Sequence, residues 1–260
     1  MIYQIENLAF SYTKKSPLVF ENLNLSLKQG ELLTILGHNG CGKSTLFSCM
    51  LGIRKPSSGR ILLDGKDIAS LKPRQIARLV GYVPQTHTPT FPYTVFDFVL
   101  MGCAAGIGLL SHPGEKEKKR AEEALREMGL LELSDRPYTE LSGGERQQVT
   151  IARSIAASPK VILFDEPTAH LDFGKQMKVL RVIKDLSDKG YSVVITTHDP
   201  NHALMLGGKT ALFQGREDGI IVGNPEELLT EERMEKVYGS ELKLRYLEEF
   251  DRKVCIYPPL

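Results

Sequence analysis

The apolar run LLTIL at 32–36 passes straight into GHNGCGKST at 37–45. A buried strand, a glycine-rich bend and a helix start leave the chain few ways to fold. The stretch fits G-x-x-x-x-G-K-[ST], and its strand–loop–helix setting makes the pattern a phosphate-binding loop. Backbone N–H groups of residues 39–44 are expected to wrap a β-phosphate. Lys43 reaches the β- and γ-phosphates, and the Ser44 hydroxyl binds Mg²⁺. Gly37, His38, Asn39, Gly40, Cys41, Gly42, Lys43, Ser44 and Thr45 are the nucleotide-binding candidates.

About a hundred residues later comes LSGGERQQ, 141–148. Ser142 and Glu145 read as a capping box at a helix start. Gly143 and Gly144 between them leave that helix end bare, and a bare helix N-terminus attracts anions. Glycine costs a helix roughly 0.5–1 kcal/mol relative to alanine. Close approach of a ligand accounts for two of them better than capping does. One chain therefore carries two anion sites.

The remaining pattern alternates strands and helices. Strands are expected at 2–12, 18–27 and 31–36, a helix at 43–52, and further strands at RILLDG and LVGYVPQ. From 93 to 157 the signals are helical. EKEKKRAEEALREMG offers Glu115–Lys119 and Glu122–Arg126 pairs, with Gly129 as a helix stop. The apolar run FVLMGCAAGIGLL, 98–110, is too short to span a membrane and reads as a buried helix, with docking on a partner as the alternative. Strands return at VILFD (161–165) and SVVITT (192–197). The helix between them, about 174–189, places Met177, Leu180 and Ile183 on one side. The expected class is α/β: a parallel-sheet core interrupted by a helical insertion.

Acidic and polar residues gather at the strand ends. Asp165 ends VILFD, positioned to hold Mg²⁺ beside Ser44. Glu166, on the opposite side by strand alternation, is placed to orient and deprotonate an attacking water. His198 lies just past a strand carboxyl end, where ligands collect in open α/β sheets. HDPNH also spaces His198 and His202 four apart, but Pro200 and the missing glutamate argue against a zinc site. Gln85 follows a core strand and can reach Mg²⁺ and the water. Tyr12, at the end of the first strand pair, can stack on a base or simply pack.

Composition narrows the class. At 260 residues, 42% hydrophobic and 25% charged, the chain can bury a sizeable core. A net charge of +1 gives no case for nucleic acid or an anionic membrane surface. Cys41, Cys49, Cys103 and Cys255 show no disulfide or CxxC spacing, which fits reduced thiols in the cytosol. MIYQIENLAF has no export-signal pattern.

GHNGCGKST, LSGGERQ, VILFDEP, HLD (170–172) and TTH (196–198) occur in that order. With them the chain resembles, over nearly its whole length, the ATP-binding subunits of ATP-binding cassette transporters. The resemblance implies one cassette domain over 1–260. Its phosphate-loop (RecA-like) parallel-sheet core would carry an N-terminal antiparallel β subdomain and a helical subdomain inserted at 93–157. It also implies an ATPase coupled to transport, with ATP and Mg²⁺. Lys43, Glu166 and His198 would serve catalysis. Ser44, Gln85 and Asp165 would serve the metal. Two copies would pack head to tail, so that Ser142, Gly143, Gly144 and Glu145 bind the partner's ATP. Asp172 would lie at the dimer seam. Implied partners are integral membrane permease subunits and, through them, an extracytoplasmic substrate-binding protein. No nucleic acid is implied, and the location is the cytoplasmic face of the membrane.

The segment VGYVPQTHTPTFPYTVFDFVLMG is similar to that of importers for iron–siderophore complexes, haem and cobalamin, with oxyanion importers among the relatives. Cys103 stands where those commonly have arginine, and Ala169 where serine is common. A kinase leaves LSGGERQ without a role, and the guanine motif of GTPases is missing. The remaining alternative is a soluble cassette ATPase acting on a cytosolic scaffold, as in iron–sulfur assembly.

Overall fold

The computed structural model describes residues 1–86, 91–108, 111–215 and 219–259. The chain begins with strands β1 (Tyr3–Phe10), β2 (Phe20–Leu27) and β3 (Leu32–Leu36), helix α1 (Lys43–Met50), and strands β4 (Ser58–Leu63) and β5 (Lys66–Asp67). Helix α2 (Pro73–Leu79) and β6 (Val80–Val83) lead to helices α3 (Val95–Leu100), α4 (Glu115–Glu127) and α5 (Gly143–Ala156). Then come β7 (Val161–Asp165), α6 (Phe173–Asp188), β8 (Ser192–Thr197), α7 (Pro200–Leu206), β9 (Lys209–Gly215) and β10 (Gly219–Gly223). Helices α8 (Pro225–Leu228) and α9 (Glu231–Tyr238) precede a hairpin of β11 (Lys243–Leu247) and β12 (Arg252–Ile256). The elements form two compact units, Met1–Leu71 with Ser192–Leu260, and Lys72–Tyr191.

The first unit holds two kinds of sheet. Strands β2-β1-β4-β5 form an antiparallel sheet in that order. In the other, β3 runs parallel to both β8 and β9, and β10 pairs antiparallel with β9. All five residues of β3 are buried, which is why LLTIL reads as a continuous apolar run rather than an alternating one. Leu36 and Leu212 from these strands join Ala203, Met234 and Leu242 in one cluster. That cluster anchors the C-terminal elements.

In the second unit β6 and β7 pair in parallel, and β7 is buried throughout. Between them lie the helices. Phe98 stacks on Tyr138 at a centroid distance of 4.1 Å, and the Arg153 guanidinium sits 4.8 Å from the Phe98 ring. Helix α4 buries Ala121, Ala124 and Leu125 and exposes its charges. Glu122 pairs with Arg126 at 2.6 Å, as expected. Glu115 instead pairs with Lys118, one residue nearer than expected, because i,i+3 neighbours are as close as i,i+4 ones on a helix surface. Gly129 follows the helix end with φ 67°.

The run at 98–110 is not one helix. The α-helix stops at Leu100, and Met101–Gly106 continues as a 3₁₀ segment. A Cβ on Gly102 would stand 2.0 Å from the Arg153 carbonyl, so the chain crosses α5 here at backbone contact. Cys103 is buried, donating its S–H to the Ala156 carbonyl. Leu109 and Leu110, and the stretch His87–Thr90 of the segment used for the finer resemblance, lie outside the described residues. The expected strand at 2–12 is shorter, ending at Phe10. No described helix is long and apolar enough to cross a membrane.

Candidate active site

The phosphate loop is built from one buried cation and two left-handed glycines. Lys43, 4% exposed, donates to the carbonyls of Gly37 at 2.8 Å and His38 at 3.0 Å. Those bonds hold the ammonium inside the loop, where phosphate oxygens would meet it. Gly40 has φ 83° and Gly42 φ 113°. A Cβ on Gly42 would also meet Val19 at 2.7 Å, so both the dihedral and the space demand glycine there. Helix α1 starts at Lys43 with no side-chain cap. His38 Nδ1 bonds the Asn39 carbonyl at 2.7 Å. Gly37 has no room for a side chain, because its Cβ would lie 2.8 Å from Cys41 Sγ.

Tyr12 lies two residues past β1, not in it. Its hydroxyl and that of Thr45 are 2.8 Å apart, which ties the ring to the phosphate loop. The Arg54 guanidinium lies 4.9 Å from the ring centroid, and Phe10 meets the ring edge-on at 5.2 Å. The ring is still 57% exposed, so it retains area for stacking. Arg54 has no signal in the sequence, since the contact depends on where α1 ends.

His198 is exposed immediately after β8. His202 is not its partner in a metal pair. It is buried, its Nδ1 lies 2.9 Å from the Thr197 hydroxyl, and burial holds its pKa below the ordinary imidazole value. Asp199 caps α7, accepting from the Asn201 N–H at 2.8 Å.

In the second unit Asp165 ends β7 and is buried. The Tyr82 hydroxyl donates to its carboxylate at 3.5 Å. Burial, with that carboxylate beside it, pushes the Tyr82 pKa up to about 12. Glu166 is outside the strand, so strand alternation does not orient it. Its φ of 41° turns the backbone left-handed there. A non-glycine residue held in that region costs about 1–3 kcal/mol and is characteristic of functional sites. Gln85 is exposed two residues past β6.

The LSGGE start folds as a reciprocal capping box. The Glu145 N–H donates to Ser142 Oγ at 3.4 Å, and the Ser142 N–H donates to Glu145 Oε2 at 2.8 Å. Those bonds hold the Glu145 carboxyl below its usual range. A Cβ on Gly143 would meet nothing within 4 Å, whereas one on Gly144 would touch the Lys175 chain at 3.1 Å. Asp172 caps α6 through the Lys175 N–H at 3.0 Å and pairs with Lys175 Nζ at 2.6 Å. Those bonds lower its pKa.

A family profile described as "ABC transporter" matches residues 20–169. The "Molybdate import ATP-binding protein MolC" of Haemophilus influenzae is 36% identical over 250 residues, covering 95% of this chain and 92% of the relative. The "Probable iron chelatin transport ATP-binding protein" of Helicobacter pylori is 38% identical over 223 residues, 82% of this chain and 87% of its own. Among solved structures, a metal-chelate type ABC transporter in an inward-facing conformation superposes with TM-score 0.84 at 35% identity, covering 98% of each chain. An ATP-binding cassette solved as a dimer in a post-hydrolysis state with ADP and phosphate superposes with TM-score 0.70 at 27% identity, covering 86% of this chain and 98% of that one. These likenesses show the family: the chain belongs to the ABC transporter family, as an ATP-binding subunit that hydrolyses ATP.

Proposed function

We propose that this ATPase powers import across a membrane by closing a head-to-tail dimer of itself around two ATP molecules. The observation that carries the reading is the start of α5. Its side chains bond each other, its first glycine faces open space, and the N–H groups of Gly143 and Gly144, ahead of the capped Glu145, are offered to a ligand. Ser142, Gly143 and Gly144 would complete the γ-phosphate cage of the partner chain's ATP. Asp172 would lie on the seam.

Within each site Lys43 and the loop N–H groups hold the β- and γ-phosphates. Tyr12 stacks on adenine with Arg54 behind it. Ser44, Asp165 and Gln85 offer the hard oxygen ligands that Mg²⁺ prefers. When bound, that ion would neutralise charge on the phosphate oxygens. Glu166 takes the proton of the attacking water as its oxygen bonds the γ-phosphorus, and the ADP oxygen leaves. His198 orients the γ-phosphate. Closure depends on the triphosphate and is released by hydrolysis, which is how ATP favours one of two states.

A groove of about 830 Å³ in the second unit suits a membrane partner. Leu100, Met101, Ala104, Ala105 and Ile107 line it, with Pro73 and Ala77 opposite. We assign it to a helix of an integral permease, which would hold the chain at the cytoplasmic face. The substrate class that fits the relatives is a metal chelate or a metal oxyanion, delivered by an extracytoplasmic binding protein. The test is affinity purification of the tagged chain from detergent-solubilised membranes. A stoichiometric integral membrane protein is expected, lost on Ala105→Glu. Recovery with soluble scaffold proteins alone would overturn the transport reading.

A further inference from the structure

The C-terminal elements reach the loop that carries His198. The Tyr238 hydroxyl, from the last residue of α9, donates to the His198 backbone carbonyl at 2.8 Å. Gly239 follows with φ 65°, ending the helix at that point. On the other side of the loop, the Asp199 N–H donates to Thr197 Oγ1 at 3.1 Å. The peptide group that follows His198 is thus held at both its carbonyl and its N–H. A second tie secures the same region. Asn201 Nδ2 donates to the Cys255 carbonyl at 3.0 Å, and the Cys255 N–H donates to Asn201 Oδ1 at 2.8 Å. Strand β12 is therefore locked to α7, the helix that follows His198.

We propose that Tyr238 is a positioning residue for His198, and that α9 with the β11–β12 hairpin forms a brace setting the height of that histidine over the γ-phosphate. The inference rests on the reading of His198 as a group that touches ATP. Two observations support it. The bond is long-range, joining residues 40 apart in the chain, and it ends on the exposed turn between β8 and α7. Burial, with Asp199 beside it, pushes the Tyr238 pKa strongly up, so its hydroxyl remains a donor throughout the working pH range. A loop histidine that must meet a phosphate within hydrogen-bond distance gains from a fixed backbone, because small misplacements cost rate steeply.

The experiment is a double-mutant cycle on the purified full chain, measured as steady-state phosphate release with MgATP and by thermal unfolding. Tyr238→Phe keeps the ring and deletes the donor. The expected result is a fall in kcat of about fivefold to tenfold, the weight of one hydrogen bond, with KM changed by less than about twofold. In a His198→Ala background, Tyr238→Phe should cause no further loss. If Tyr238→Phe turns over like the parent while His198→Ala is inactive, the brace is wrong and the site reading stands. An equal loss in both backgrounds also overturns the brace, since the tyrosine then acts without His198. If His198→Ala retains parental turnover, the site reading fails first and the brace with it.

Discussion

The phosphate loop and the LSGGE helix start are two answers to the same physical problem, an anion at a helix N-terminus. They are built differently. The phosphate loop brings its own cation, buried Lys43, and bends around it with left-handed glycines at 40 and 42. Helix α1 has no side-chain cap of its own. The LSGGE start is already capped by Ser142, and its first-turn acid, Glu145, is turned back onto the Ser142 N–H. What it leaves for a ligand is the open face at Gly143. On the proposed reading, the first arrangement holds a nucleotide unaided and the second finishes a cage begun elsewhere.

The largest effect should come from the chemistry that needs both halves. Glu166→Gln keeps shape and removes the proton acceptor. Turnover should fall about a thousandfold with ATP binding intact, and the chain should collect as an ATP-bound dimer. Hydrolysis near the parental rate in a phosphate-release assay would remove Glu166 as the base.

Next comes the self-sufficient half. Lys43→Ala deletes the buried ammonium, and ATP affinity should drop about 10- to 100-fold by titration calorimetry, as expected for charged hydrogen bonds. A Kd within twofold of the parent would mean the loop N–H groups suffice alone.

The smallest effect sharpens the contrast most. Gly143→Ala should stabilise the isolated chain slightly, by up to about 0.5 kcal/mol, because alanine suits a helix better. Yet it should weaken ATP-dependent association severalfold, since its methyl group enters the open face. A stabilised variant that associates normally would leave the glycine without a ligand to explain it.

The site was legible in the sequence wherever one short segment carries both shape and chemistry. LLTIL into GHNGCGKST, VILFD and the LSGGE box each specify their own backbone, and each folds as its pattern implies. Legibility failed where a neighbour decides. Glu166 was expected to follow strand alternation, but the chain leaves the strand before it and turns left-handed. The helix at 98–110 was cut short because Gly102 must pass the Arg153 carbonyl. Tyr12 depends on Arg54, and His198 on Tyr238, through contacts that no local period records. Helix α2 and the elements after Thr197 escaped because they are short and carry no strong period of their own. The C-terminal elements pack on the Leu36–Leu212–Met234 cluster rather than standing on their own pattern.

The most direct test of the two-chain site mixes two damaged chains. In a Glu166→Gln background, Ser142→Arg fills the space beside Gly143, and Lys43→Ala disables the phosphate loop. Loss of the Ser142 cap costs about 1 kcal/mol, which a domain of this size tolerates. Each variant alone should remain monomeric with MgATP on size-exclusion chromatography. Mixed, they can form one composite site from an intact phosphate loop and an intact LSGGE, with both lesions confined to the other. ATP-dependent dimer should therefore reappear only in the mixture. If Ser142→Arg alone dimerises with ATP as readily as its parent, no partner nucleotide is bound there, and LSGGERQQ is only a well-capped helix.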